Sequence, residues 1–282
     1  MSGLGLAQGG GVRLLAFAFV LFMLAVWEWR AELRRGAFSR RQRWPANLGL
    51  GALDALLMRV LAPAGAVGAT ALAASHSFGV FNLVKMPAAV SFIASILLLD
   101  LTIYAQHRLF HRVSWLWRIH RVHHSDAQLD VSTALRFHPA ESLLSMAIKV
   151  SVAFVFGMPP AAVLVFEILL NAAAMFNHTN ASLGPRWDRV VRLLVVTPDM
   201  HRIHHSISRD EADTNYGFGL SWWDRLFRSY RDVPHIAQTI MPIGLPDAVT
   251  LPKYRRLWSL LQMPARAPGY GFRPNAKDRT RR

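Results

Sequence analysis

Residues 87–124 read PAAVSFIASILLLDLTIYAQHRLFHRVSWLWRIHRVHH, an apolar run that passes directly into histidine-rich sequence. The run ends in His107-x3-His111, and His120-x2-His123-His124 follows it. A third cluster, His201-x2-His204-His205, lies beyond a second apolar region. Residues three and four apart project from the same side of an α-helix. The spacing therefore predicts three helical clusters, each with its imidazoles directed one way.

Neutral imidazole binds iron, zinc, copper and nickel, and ten of the twelve histidines lie between positions 107 and 205. One His-x-x-His-His alone is compatible with a solvated helix face. The other interpretation is that each histidine is buried in the core and hydrogen-bonded separately. It does not explain well why eight histidines fall into three groups with matching spacing. The predicted metal ligands are His107, His111, His120, His123, His124, His201, His204 and His205.

The composition is that of a membrane protein, because 52% of the 282 residues are hydrophobic and the mean hydropathy is +0.23. The chain has no cysteine, which excludes structural disulfides, thiolate-zinc sites and iron–sulfur clusters ligated by this chain. The net charge of +15 comes mostly from arginines that flank apolar runs, and no nucleic-acid motif accompanies them. A membrane-facing role for the charge is favoured over nucleic-acid binding.

Five apolar segments approach the length of about 20 residues that a bilayer core requires. The first competes with a signal peptide, but no small-x-small cleavage site follows it. The second contains Asp54 and Arg59, so an interfacial position is its alternative. Gly157-Met158-Pro159-Pro160 predicts a tight turn between the last two. We therefore expect an all-α integral membrane bundle with four to five spanning helices, at 12–27, 46–67, 87–104, 143–156 and 161–176.

The arginines predict the orientation, since loops rich in Lys and Arg tend to remain in the cytoplasm. The loop 30–43 contains six arginines. With this loop inside, five spans bring every histidine cluster to the cytoplasmic side, in a helical cap. The arginine-rich, cysteine-free composition is typical of a GC-rich bacterium, so we expect the bacterial inner membrane. The domains are predicted as membrane anchor helices and a basic loop at 1–89, a metal domain at 90–232, and a basic, partly disordered tail at 233–282.

Helix-capping residues predict where the helices that carry the second and third histidine clusters begin. Ser114 is a predicted N-cap, and a break must precede it because nine residues of continuous helix would turn His111 and His120 to opposite faces. Thr197-Pro198 is typical of an N-cap followed by proline at the first helical position. Residues 221–231 predict an amphipathic interfacial helix, and Trp115 and Trp117 are predicted interfacial anchors.

These motifs resemble the fatty acid hydroxylase and sterol desaturase superfamily of membrane di-iron enzymes. The resemblance covers about residues 90 to 230 and rests on His107-Arg-Leu-Phe-His111, His120-Arg-Val-His-His124 and His201-Arg-Ile-His-His205 in a membrane context. Four further segments are similar to members of this superfamily, namely Arg136-Phe-His138-Pro-Ala-Glu141, His178-Thr-Asn180, Asp213-Thr-Asn-Tyr-Gly217 and the aromatic segment 222–227.

The resemblance implies an O2-dependent oxidoreductase in which two irons hydroxylate or desaturate a C–H bond of a sterol, fatty acyl or related lipid. Zinc binds the same rings and replaces iron in some purified proteins. The sequence has no Gly-x-Gly-x-x-Gly and no His-Pro-Gly-Gly, so the electrons are expected from an external donor similar to ferredoxin or cytochrome b5. A lipid and the bilayer are the other expected partners, and nucleic acid is not.

Several other residues have two interpretations each. His178 is the expected ninth ligand, although a helix-end histidine bound to terminal carbonyls is the alternative. His138 is either an additional ligand or substrate-side residue, or part of a packed turn, and its neighbours Arg136 and Glu141 are candidates for an ion pair at the foot of the fourth apolar segment. Glu141 and Asp199 are candidates to accept a hydrogen bond from a ligand histidine, as are Asp100 and Asp126. His76 and His235 are expected to be incidental.

A protein of another class remains an alternative, namely a non-redox, histidine-rich membrane protein that binds or transports metal. A transporter is expected to hold its ligands near the bilayer midplane, whereas these clusters lie at the ends of apolar segments. A zinc hydrolase is disfavoured because His-Glu-x-x-His is absent.

Overall fold

The computed structural model describes residues 3–36, 38–84, 86–246 and 252–266, and this part of the chain is helical without strands. Two isolated bridges pair Val195 with Leu220 and Ser206 with Ile243. The all-α prediction is therefore confirmed.

The α-helices are α1 Gly3–Arg30, α2 Arg40–Leu61, α3 Gly65–Ser75, α4 Val80–Leu83, α5 Ala88–Arg112, α6 Ser114–His124, α7 Pro139–Phe156, α8 Pro160–His178, α9 Pro185–Val191, α10 Pro198–His204, α11 Arg209–Ala212, α12 Trp222–Leu226 and α13 Leu257–Leu261. Short 3-10 helices lie at Val131–Leu135, Pro252–Arg255 and Met263–Ala265.

Five stretches of the described chain are long and apolar enough to cross a membrane, which confirms the predicted multi-pass bundle. Apolar side chains such as Phe19 and Phe22 are largely exposed on α1, as a lipid-facing surface requires. The candidate spans are Gly10–Arg30, Arg40–Leu83, Ala88–Arg112, Pro139–Phe156 and Pro160–His178.

The second predicted span, 46–67, is not a single helix. Helix α2 ends at Leu61, two residues before Pro63, and α3 begins at Gly65. Proline has no N–H to donate to the helix and its ring clashes with the preceding turn, so the helix stops there. Together α2, α3 and α4 form one apolar stretch that returns the chain to the start of α5.

The predicted turn between the last two spans lies where the sequence places it. Gly157 has a left-handed backbone (φ 61°) at the end of α7, and α8 begins at Pro160. Gly79 packs against this turn, and a Cβ atom added there would clash with the Gly157 backbone. Residues around α4 therefore close one end of the α7–α8 hairpin.

The other ends of the long helices meet at the histidine clusters. The Glu28 carboxylate, near the end of α1, accepts hydrogen bonds from the backbone N–H groups of Val131 (2.6 Å) and Asn180 (2.8 Å). Arg43, near the start of α2, donates to Asp126 and to Asp130. These contacts hold the C-terminal end of α1 and the N-terminal end of α2 against the segments that follow α6 and α8.

The expected break between α5 and α6 falls at Val113. Val113 has an extended backbone (φ −98°, ψ 120°) and is the N-cap of α6, so Ser114 is the first helical residue and its prediction as the N-cap was wrong by one position. Thr197 caps α10 as predicted: its side chain accepts a hydrogen bond from the Met200 N–H, and Pro198 opens the helix.

Candidate metal centre

Nine buried histidines converge in two adjacent groups at the meeting point of the helices. Within each group, one ring nitrogen per histidine lies within 4.8 Å of the others. The first group is His107, His111, His120, His124 and His204, and the second is His123, His178, His201 and His205. The structure thus brings together all eight clustered histidines and His178.

Helical periodicity explains how each cluster serves both groups. On α6, His120 and His124 are four residues apart and enter the first group, whereas His123 enters the second. At α10 the pattern is reversed: His201 and His205 enter the second group, and His204 enters the first. The His-x-x-His-His spacing therefore divides its rings between the two adjacent groups. The last turn of α5 supplies His107 and His111, and the end of α8 supplies His178.

The Nε2 atoms face one another within each group. His107 Nε2 lies 3.1 Å from the Nε2 atoms of both His120 and His204. In the second group, His178 Nε2 lies 3.0 Å from that of His123 and 3.2 Å from that of His201. Imidazole nitrogens converging on one volume are a donor set that suits iron, zinc or copper. The residues fit a two-metal centre, with one ion in each group.

Burial keeps the imidazoles neutral. It lowers the pKa of His120 from 6.5 to about 3. Burial, followed by the repulsion between neighbouring imidazolium charges, lowers the pKa of His123, His124 and His205 well below 6.5. A neutral ring presents a lone pair, so these histidines are prepared to bind a cation at neutral pH.

The opposite ring nitrogen is held by the protein in several of these histidines. Nδ1 of His107 lies 2.7 Å from the Tyr216 carbonyl oxygen, and Nδ1 of His204 lies 2.7 Å from that of Thr214. Nδ1 of His178 lies 2.6 Å from the Ala174 carbonyl oxygen. Such contacts fix the tautomer and aim Nε2 at the shared volume. Sequence reasoning missed these contacts, and no sequence signal could have revealed them, because every residue type provides a backbone carbonyl.

One of the predicted carboxylates contacts a clustered histidine. Glu141 Oε1 lies 2.7 Å from Nδ1 of His120. Asp199 instead accepts hydrogen bonds from Ser182 and Arg202, and Asp126 accepts from Arg43. Asp100 accepts from Trp223 Nε1 (2.8 Å). Sequence reasoning missed Asp213, whose Oδ1 lies 3.6 Å from Nδ1 of His111.

His138 lies outside both groups. Its Nδ1 accepts a hydrogen bond from the Ala140 N–H and caps α7, and its Nε2 lies 3.2 Å from the Leu261 carbonyl oxygen. This is the packed-turn alternative. The remaining histidines, His76 and His235, are exposed and contribute to neither group.

The ion pair expected between Arg136 and Glu141 is wrong. Arg136 is buried and donates to the Val122 and Tyr254 carbonyl oxygens, to Asn47 and to Ser125. These acceptors lie in α2, around the end of α6 and in the C-terminal segment, positions remote in sequence. Arg136 therefore fixes the end of α6 against α2, and the described part of the tail packs onto both through buried side chains such as Leu260.

The aromatic segment after α11 forms the wall beside His107. Asp224 is buried and accepts hydrogen bonds from the N–H groups of Tyr216 (2.8 Å) and Gly217 (2.9 Å). This holds the Tyr216 carbonyl against His107. Helix α12 has only five residues and the chain turns at Arg228 (φ 56°), so the predicted continuous amphipathic helix over 221–231 was wrong.

Trp117 contacts the histidines rather than projecting from the protein as an interfacial anchor. Its ring centroid lies 5.0 Å from that of His111 and 5.3 Å from that of His124. Trp115, in contrast, is 61% exposed, as an interfacial anchor would be. The two residues differ because α6 presents one side to the metal centre.

A cavity of about 690 Å³ opens beside the first histidine group. His107, His120 and Glu141 lie at its polar end, while Phe17, Ile103 and other apolar side chains of the bundle form most of its wall. Its volume is that of a typical small-molecule site. The arrangement allows an apolar ligand to approach the metal centre from the membrane-spanning part of the protein.

Comparison with known proteins identifies the region that carries this site. The sequence profile of the fatty acid hydroxylase family matches residues 92–229. The chain is 30% identical over 167 residues to the ornithine lipid hydroxylase of Rhizobium tropici, a match covering 58% of this chain and 48% of that protein. It is 32% identical over 139 residues to human alkylglycerol monooxygenase, covering 46% and 28%. It is 27% identical over 143 residues to rat cholesterol 25-hydroxylase, covering 50% and 46%.

The matched region spans about half or less of each of these relatives. No solved structure matches the chain significantly. All eight clustered histidines and His178 lie within the matched family region.

Proposed function

Because residues 92–229 belong to the fatty acid hydroxylase family, we propose that this chain is a membrane-bound oxidoreductase that uses two iron ions and O2 to hydroxylate or desaturate a C–H bond of a lipid. The observation that carries the proposal is the convergence of nine buried imidazoles beside an apolar cavity. The relatives support a lipid substrate, since their names specify an ornithine lipid, an alkylglycerol and cholesterol.

The first histidine group would hold one iron and the second group the other. Bound iron would supply the activation of O2 and the removal of hydrogen from an unactivated carbon. The protein's own contribution is positioning: the Nδ1 contacts of His107, His178 and His204 orient the rings. The apolar wall of the cavity excludes water and directs a hydrocarbon chain toward the centre.

The metal centre is proposed to face the cytoplasm of a bacterial cell, because the arginine-rich loop 30–43 lies at the same end of the bundle as the histidines. An external donor similar to ferredoxin or cytochrome b5 would deliver electrons at this face. The division into 1–89, 90–232 and 233–282 belongs to the proposal as well. The part of the predicted disordered tail from residue 267 onward lies outside the described residues.

The test is elemental analysis with Mössbauer spectroscopy on protein purified in mild detergent from iron-supplemented cells. We expect about two coupled irons per chain. A variant with His123, His124, His204 and His205 changed to alanine should lose them. A matched control with His76 and His235 changed to alanine should keep them, since both lie outside the centre.

Stoichiometric zinc with no iron after iron loading would favour the alternative, a non-redox protein that binds or transports metal. Unchanged metal content in the four-histidine variant would overturn the ligand assignment. With iron established, the substrate is sought by comparing the lipids of cells that express the wild-type protein and the four-histidine variant.

A further inference from the structure

Charged side chains lie at the end of the cavity away from the histidines. Arg13 of α1, Lys149 of α7 and Glu167 of α8 all line it. Lys149 is near the middle of α7, and Glu167 is seven residues into α8. Ionisable residues at membrane depth are costly and commonly mark the path of a substrate or ion. These three require an explanation that the metal centre does not provide.

The polar stripe of α7 connects this end to the metal centre. Glu141, Ser145 and Lys149 are spaced four residues apart, so they share one helix face, and all three line the cavity. Lys149 lies eight residues beyond Glu141, which corresponds to about 12 Å along the helix axis. Side chains lean toward the N-terminus of their helix, so the ammonium group is directed back toward the histidines.

The charges around Lys149 are not balanced. Arg13 donates to the Glu167 carboxylate, and this pair joins α1 to α8. In the described part of the chain, no hydrogen bond or ion pair joins the Lys149 ammonium to another side chain. Asp54 also lines the cavity, but it accepts a hydrogen bond from Ser142 near the start of α7, toward the histidine end. Around Lys149 itself, with all three groups ionised, two cations face one anion. Lys149 is half-buried on a helix that is apolar enough to span a membrane, and a cation at such a position is costly unless an anion pairs with it, so this end of the cavity favours one further negative charge.

We propose that Lys149 binds the carboxylate of a single-chain lipid whose hydrocarbon chain extends along the cavity to the first histidine group. The cavity, at about 690 Å³, suits one chain. A carboxylate is compact enough to lie halfway along a spanning helix, and it supplies the missing charge. The carbon that is oxidised would then be remote from the carboxylate. The identity of this lipid as the substrate rests on the proposed function, but its binding does not.

The test measures binding without reductant, so that no turnover occurs. The purified full-length chain in lipid nanodiscs is equilibrated with radiolabelled dodecanoate or with its methyl ester, and empty nanodiscs give the background. We expect dodecanoate to bind at least tenfold more tightly than the ester, because a hydrogen bond to a charged group contributes more than one to a neutral group.

Three variants locate the effect. Lys149→Met, which retains the length and apolar stem of the side chain, should abolish the preference for the acid, and Lys149→Arg should retain most of it. Arg59→Met is the matched control, since Arg59 is a cation in the α2 apolar stretch that does not line the cavity, and it should leave the preference unchanged.

Equal binding of the acid and the ester by the wild-type protein overturns the proposal, and so does a preference that survives in Lys149→Met. The wild-type comparison decides even where the methionine variant fails to fold. A protein that selects dodecanoate but shows no O2-dependent oxidation would refute the proposed function and leave this site intact. A protein that oxidises lipids but binds the acid and the ester equally would refute this carboxylate site and support the proposed function.

Discussion

Nδ1 of His120 lies 2.7 Å from Oε1 of Glu141, and both residues are buried. This contact links α6, which carries three of the clustered histidines, to the first turn of α7, which lines the cavity. A carboxylate on the far side of a ligand histidine fixes the ring and raises its basicity. Glu141 therefore connects the candidate metal centre to the cavity.

We expect Glu141→Ala to weaken iron binding about 10- to 100-fold, the usual effect of removing such a partner. Glu141→Gln keeps an oxygen that accepts a hydrogen bond from Nδ1, so it should retain most of the affinity. Competition with a calibrated chelator gives the affinities. Asp210→Asn is the control, because Asp210 is exposed and pairs with His235 and Arg231 away from the centre. Equal affinity in all three variants would contradict the role of Glu141.

Arg136→Met is expected to destabilise the protein by about 3 kcal/mol. It leaves the carbonyl oxygens of Val122 and Tyr254 and the side chain of Asn47 without their donor. Thermal unfolding in detergent measures the loss. Arg118→Met is the matched control, because Arg118 is exposed on α6 and such surface changes cost about 0.5 kcal/mol or less. A similar unfolding temperature for both variants would show that the buried hydrogen bonds contribute little.

Acid should destabilise the metal-free protein steeply. In the folded state, burial holds the pKa of His120 at about 3 and that of His201 and His204 well below the ordinary 6.5. The unfolded chain binds these protons near pH 6.5 and the folded chain does not. The contribution of these neutral histidines to the free energy of unfolding is therefore fully present above about pH 6.5 and is lost as the pH falls.

Each such histidine contributes a slope of about 1.4 kcal/mol per pH unit. Chelator-treated protein unfolded at a series of pH values between 5 and 8 gives the total slope. Replacing the exposed His76 and His235 by alanine should leave it unchanged. A flat profile across this range would mean that the buried rings are protonated in the folded, metal-free state.

The sequence predicts which histidines come together because the spacing that indicates this lies within single helices. The spacing within His120-x2-His123-His124 determines which rings share a side of α6, and Pro160 and Gly157 mark the α7–α8 turn. What the spacing does not contain is the distance between helices, so the division of the rings into two groups depends on where α5, α8 and α10 meet. Arg136 illustrates the same point. A nearby Glu141 suggests an ion pair, but its actual partners are separated from it by up to 118 residues.

Reduction by an acidic electron donor should depend on the exposed arginines near the metal centre. Arg112 ends α5 and Arg118 lies on α6, and both are exposed on helices that carry proposed ligand histidines. Opposite charges accelerate encounter, and salt screens them over about 10 Å at 0.1 M ionic strength. We expect Arg112→Glu combined with Arg118→Glu to lower the bimolecular rate constant for reduction by ferredoxin and to weaken its salt dependence.

Stopped-flow kinetics measures both the rate constant and its salt dependence. Reduction by methyl viologen radical, which carries no acidic surface, provides the comparison. A rate that is insensitive to salt in the wild-type protein would exclude an electrostatically steered donor at this face.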